Sequence, residues 1–164
     1  MLITIAVLAV ATGCSGSSTK SQPTTTARPT MTEALVTRLV GNVLARLRPA
    51  LDATRSSCGV PIVVRTPAAA AACRKDLANL STLSRRLVVV QANLREPQTM
   101  QALVAGTSDA AGAVVTVVRD YPKLDCLPTP VAAGARRIRC TSAARDLATV
   151  ITALTNEVQQ WPSH

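Results

Sequence analysis

TPAAAAACRKDLANLSTLSRRLVVVQANLREP, residues 66–97, decides the fold. Thr66 is a natural N-cap and Pro67 suits the first helical position, where a missing backbone N–H costs nothing. Cys73, Leu77, Leu80, Leu87 and Leu94 then recur at intervals of three and four, the period of one helix face. Pro97 stops the run, because its ring denies the chain a helical continuation.

Working outward, the same period recurs three more times. Before this segment, Thr30-Met31-Thr32-Glu33 reads as a capping box, with Thr30 as the cap and Glu33 reaching back to it. Leu35, Leu39, Val43, Leu47 and Leu51 form the expected inward stripe of that first helix. Pro49 is expected to kink it and Gly59 lies just past its end. After Pro97, a third helix is expected from about Gln98 to Asp120, with Met100, Leu103, Val104, Ala111, Val114 and Val118 inward; Gly106 and Gly112 weaken it while permitting close helix contact. A fourth is expected after Pro130, starting near Cys140 or slightly earlier, with Leu147, Val150, Ile151, Leu154, Val158 and Trp161 inward and Pro162 as its stop. Val60 to Val64 has strand-like residues but no obvious partner strand, and reads more simply as loop. The expected fold is all-α, an antiparallel four-helix bundle filling residues 31–164.

Four cysteines fall within this helical region: Cys58, Cys73, Cys126 and Cys140. Pairing them in sequence order staples each of two helical hairpins across a loop containing a Thr-Pro step, Thr66-Pro67 in one and Thr129-Pro130 in the other. Each bridge would stabilise the fold by about 3 kcal/mol on the chain-entropy model. A four-thiolate metal site is the rival reading, and no Cys-x-x-Cys pair supports it. The halves also share an Asp-Leu-Ala step, Asp76-Leu77-Ala78 and Asp146-Leu147-Ala148, though its spacing from the preceding Cys differs.

The fifth cysteine has a different setting. Residues 2–11 are almost purely apolar, too short for a bilayer span but the right length for an export signal, and they lead into Ala11-Thr12-Gly13-Cys14. This segment resembles the lipobox of bacterial lipoproteins, with Ala11 where that family usually has Leu and with no Lys or Arg ahead of the apolar run. The resemblance covers only about the first fifteen residues. It implies removal of residues 1–13, a lipid on Cys14, and a protein anchored to the extracytoplasmic face of the cell membrane, where more than one acyl chain holds firmly. Residues 14–30, rich in Ser, Thr, Gly and Pro, lack the apolar content to fold and read as a tether reaching on the order of 20 Å. An oxidising compartment agrees with four paired thiols.

Composition narrows the function more by exclusion than by assignment. His164 is the only histidine and sits at the chain end; no Gly-x-Ser-x-Gly elbow or phosphate loop occurs. No cofactor or metal is implied, and no catalytic constellation is present. The one enzymatic idea is a carboxylate pair formed by Asp76 and Asp146; against it, both positions suit surface residues near helix N-termini. Asp52 lies one turn from both Arg48 and Arg55, as in a solvated ion pair.

Eighteen basic residues against nine acidic leave a net charge of +9. Arg46 and Arg48, Arg85 and Arg86, and above all Arg136, Arg137, Arg139 and Arg145 form clusters suited to anionic lipid, an acidic envelope polymer or another envelope protein. Nucleic acid is a poor fit, because only Tyr121 and Trp161 offer rings for stacking. Two function classes follow: a non-enzymatic interaction module, which is preferred, and a carrier holding a lipid or other apolar ligand between the helices.

Overall fold

The computed structural model describes residues 29–59, 66–124, 126 and 134–162. The leader, Cys14 and the tether up to residue 28, the Val60 to Val64 segment, the Thr129-Pro130 step and His164 lie outside them. The described residues form four α-helices: α1 (Glu33–Cys58), α2 (Pro67–Ala92), α3 (Gln101–Asp120) and α4 (Ala135–Gln159). Short 3-10 turns, Gln98–Met100 and Tyr121–Leu124, flank α3. Among the described residues there is no strand.

Helix α2 starts as its sequence dictates. Thr66 is extended, its hydroxyl accepts the Ala69 N–H at 3.2 Å, and Pro67 opens the helix. Cys73, Leu77, Leu80 and Leu87 are buried, whereas Leu94 lies beyond the last turn and is only partly covered.

Helix α1 corrects two expectations. Its cap is Thr32 rather than Thr30: the Thr32 hydroxyl accepts the Leu35 N–H at 3.3 Å. The Met31 N–H is committed to the Arg95 carbonyl at 2.8 Å, which ties Met31 to the chain after α2, and the helix begins only after it. Glu33 is thus the first helical residue, and its carboxylate accepts the Thr99 hydroxyl instead of closing a capping box.

The second correction is the inward stripe. Val36 and Val40 are completely buried, while Leu39 is 36% exposed. A strict four-residue spacing drifts by about 40° per step around a helix of 3.6 residues per turn, so Leu35 and Leu39 fall off the face that Val43, Leu47 and Leu51 hold. The face that packs is Val36, Val40, Val43, Leu44, Leu47 and Leu51. The helix runs through Pro49, whose ring is exposed, and Gly59 caps its end with a right-handed φ of −73°.

α1 packs along α2, α2 along α3 and α3 along α4, with a smaller seam between α1 and α4. Gln98–Lys123 has the length and apolarity to cross a membrane. In this fold it buries Val104, Thr107, Ala111, Val114 and Val118 while packing on α2 and α4.

Two disulfides brace the helices. Cys58, at the end of α1, joins Cys73 in α2, and Cys126 joins Cys140 in α4. Sequential pairing is therefore the pairing adopted, and the thiols are not metal ligands.

Polar groups add specific ties. The Thr54 hydroxyl donates to the Ala50 carbonyl within α1 and lies 3.4 Å from the Asp76 carbonyl of α2. The Trp161 indole N–H donates to the Thr107 hydroxyl, and that hydroxyl donates in turn to the Leu103 carbonyl, fastening the end of α4 onto α3. Arg48 of α1 donates through one guanidinium nitrogen to the carbonyls of Val158 and Trp161, at 3.3 and 3.4 Å. The Val158 carbonyl belongs to the last turn of α4 and the Trp161 carbonyl lies just past it, where a cation complements the helix dipole.

Candidate functional site

The strongest concentration of charge is at the start of α4. Gly134 precedes it with φ +97°, a conformation that L side chains rarely adopt, and no side chain caps the helix. From Ala135 to Arg145 the sequence contains no acidic residue. Cys140, Ala143 and Leu147 face the core, which fixes the rotation of the helix. Arg137, Arg139 and Arg145 are consequently exposed, while Arg136 is half-buried and engaged.

Between them stands Ile138, 71% exposed. Arg137, Ile138, Thr141, Ser142 and Arg145 line a shallow depression of about 380 Å³. Arg137 and Arg145, the positive end of the α4 dipole and an apolar side chain thus share one surface, flanked by the exposed Arg139 and suited to an anion with an adjoining apolar layer. The sequence reading found the arginines and missed Ile138. Its signal is its phase: it lies out of step with Cys140, Ala143 and Leu147.

The other clusters differ. Arg85 and Arg86 are exposed on α2 near Val89, itself 60% exposed. Arg46 is exposed, but its companion Arg48 is spent on α4. Asp52 pairs with Arg55 alone, at 3.2 Å, and Arg55 also donates to the Thr155 hydroxyl on α4.

The proposed carboxylate pair finds no support in position. Asp146 is exposed and Asp76 half-buried, and no hydrogen bond joins them. Among the described residues the one carboxylate clearly perturbed is Asp120, held down at about 2 by hydrogen bonds from Arg119 and then Lys123. All three side chains are well exposed, so this is a surface charge cluster. Among the described residues no group of three or more His, Cys, Asp or Glu converges to hold a metal.

The interior offers polar oddities rather than a site. Ser81, Ser84 and Gln91 on α2, and the Tyr121 hydroxyl, are buried without hydrogen-bond partners among the described residues. A hollow of about 970 Å³ lies not among the core leucines but along the outer side of α1. No protein-family model, characterised protein or solved structure matches this chain, so its chemistry is read from its own residues.

Proposed function

We propose that the chain is a lipid-anchored protein of the extracytoplasmic face of the cell membrane, and that it acts without catalysis by binding anionic lipid through the start of α4. The observation that carries the binding role is Arg137 and Arg145 in one depression with the exposed Ile138, and the exposed Arg139 flanking it. Arginine attracts the headgroups, and an isoleucine at the same level enters the apolar boundary beneath them. The anchor is supported by Ala11-Thr12-Gly13-Cys14 and by the remaining four cysteines, all of which are paired.

We further propose that the four helices form an antiparallel bundle of two disulfide-stapled hairpins. In favour are the two bridges, the Met31 to Arg95 bond that ties the start of α1 to the chain after α2, and the run of α1–α4 contacts. Arg55 meets Thr155, while Arg48 meets Val158 and Trp161, so numbers fall along one helix as they rise along the other.

The test has two arms. Cys14→Ser should move the protein from the membrane fraction to the soluble one once leader removal is verified by mass; continued membrane retention of the cleaved chain would count against lipidation. For the surface, the full chain carrying Cys14→Ser is floated with vesicles of phosphatidylglycerol and phosphatidylcholine. Replacing Arg137, Arg139 and Arg145 with Gln should weaken binding by about a hundredfold, at roughly 1 kcal/mol per arginine. Added salt should weaken it as well. Binding that survives all three replacements refutes the α4 surface.

A further inference from the structure

Three large apolar side chains stand exposed among the described residues: Ile138 on α4, Leu39 on α1 and Val89 on α2. The last two come together. The Met31 to Arg95 bond at one end of α1, and the Thr54 to Asp76 approach with the Cys58–Cys73 bridge at the other, make residue numbers fall along α2 as they rise along α1. Between these ties Leu39 falls level with Val88 and Val89.

Helix phase puts them on one side of the molecule. Leu39 lies nine residues, about two and a half turns, ahead of Arg48, which meets α4. It is therefore on the opposite flank of α1, beside α2. Arg46, seven residues on, shares that flank and is exposed. On α2, Asp76, Leu83 and Val90 recur every seven residues, and the Asp76 carbonyl meets Thr54, so this row adjoins α1. Leu83 and Val90 are half-buried along it, and Arg86 stands exposed between them. Leu39, Leu83, Val89 and Val90 thus form an apolar seam across two helices, with Arg46 and Arg86 upon it. No acidic residue occurs from 34 to 51 or from 77 to 95, and neither arginine makes an ion pair with a described residue.

The place where the tether arrives identifies what covers this seam. The chain enters the domain at Met31, eight residues ahead of Leu39, at the end that Arg95 holds. The start of α4 is at the far end, with Arg145 thirteen residues, about 20 Å, beyond Val158. We propose that the α1–α2 seam is a second lipid-binding surface, seating the domain on the anionic headgroups of the membrane that holds its anchor, a role that rests on the lipid anchor proposed above. Arg46 and Arg86 attract the headgroups, while Leu39 and Val89 reach the apolar boundary beneath. So few groups bind weakly alone. A tether of residues 15–30 supplies the rest, by holding the seam near that surface at an effective concentration on the order of millimolar.

The chain from Cys14 onward is coupled through the Cys14 thiol to a maleimide lipid, in vesicles of brominated phosphatidylcholine and phosphatidylglycerol. Cys14 is the one cysteine outside the two disulfides, and this coupling makes the outcome independent of lipidation in the cell. Val89→Trp supplies the readout and Leu39→Trp repeats it from α1, with the signal of the buried Trp161 subtracted using the parent chain. Bromine quenching of the introduced indole is expected with phosphatidylglycerol present and not with phosphatidylcholine alone. Arg46→Gln combined with Arg86→Gln should lower the ratio of seated to free domain about thirtyfold. All four substituted side chains are exposed, so the core is untouched. Replacing Arg137, Arg139 and Arg145 with Gln should leave the quenching in place; its loss there would give the seating to α4 and overturn the proposal. Equal quenching without phosphatidylglycerol, or quenching unmoved by the Arg46 and Arg86 replacements, would overturn it too. So would an unquenched indole, and a dimer on sedimentation would then give the seam to a second copy of the chain.

Discussion

The indole N–H of Trp161 donates to the Thr107 hydroxyl across 2.8 Å, joining the chain just past α4 to the middle of α3. Thr107 is fully buried and Trp161 nearly so. Trp161→Phe keeps much of the ring's packing but removes the donor. Thr107 still donates to Leu103, so its hydroxyl is not orphaned, and the expected loss is at the modest end, about 1 kcal/mol. Urea unfolding of the two proteins measures it. Trp161→Ala should cost about 3–5 kcal/mol, because the ring volume is lost as well. Near-equal losses for the two variants would show that the hydrogen bond, not the ring, holds the α4 end.

Two threonines compete to begin α1, and only Thr32 makes the cap. Thr32→Ala should cost about 1 kcal/mol and Thr30→Ala close to none. Thermal unfolding of each single variant separates them. An equal loss from both would restore the capping box anticipated from the sequence.

Ser84 is fully buried on α2 and its hydroxyl has no partner among the described residues. Its burial therefore carries a desolvation cost without a hydrogen bond in return. Ser84→Ala should leave stability unchanged or raise it by up to about 1 kcal/mol. A loss beyond that size, read from the urea midpoint, would reveal a partner for the hydroxyl.

Asp120 provides the pH dependence. Hydrogen bonds from Arg119 and Lys123 lower its carboxyl from an ordinary 3.8 to about 2. A depressed carboxylate pKa means that the unfolded chain takes up its proton first as the solution is acidified. The Asp120 contribution is thus fully present above pH 3.8 and fades as pH falls through about 2. A carboxyl carbon NMR titration should give a midpoint near 2 in the parent and a higher one in Lys123→Met. An unchanged midpoint in that variant would leave Arg119 as the sole cause.

The helices were legible because their signals are local. Thr66-Pro67 starts α2, and the apolar period runs through all four segments, so helix number and rough extent follow from neighbours in sequence. Pairing of Cys58 with Cys73 and of Cys126 with Cys140 was legible for the same reason, since each pair closes a short loop. The failures are tertiary. Arg48 looked like the partner of Asp52 four residues away, yet it serves carbonyls more than a hundred residues distant. No local pattern encodes that choice, because it depends on where α4 ends. The rotation of α1 at Leu39 failed by geometry, as a spacing of four is not a helical turn. The exposed Ile138 was invisible because its exposure depends on which helix faces have neighbours.

The ties at the two ends of α1 also differ in mechanical kind. At its start are the Met31 to Arg95 bond and the Thr99 to Glu33 contact; at its end is the covalent Cys58–Cys73 link. A pull applied to the chain ahead of Glu33 loads the weak ties first and one after another, as in opening a zip. Peeling that reaches Cys58 meets a bond that does not yield at such forces, and the load passes into α2. The extension available to α1 under tension is thus bounded by its own length.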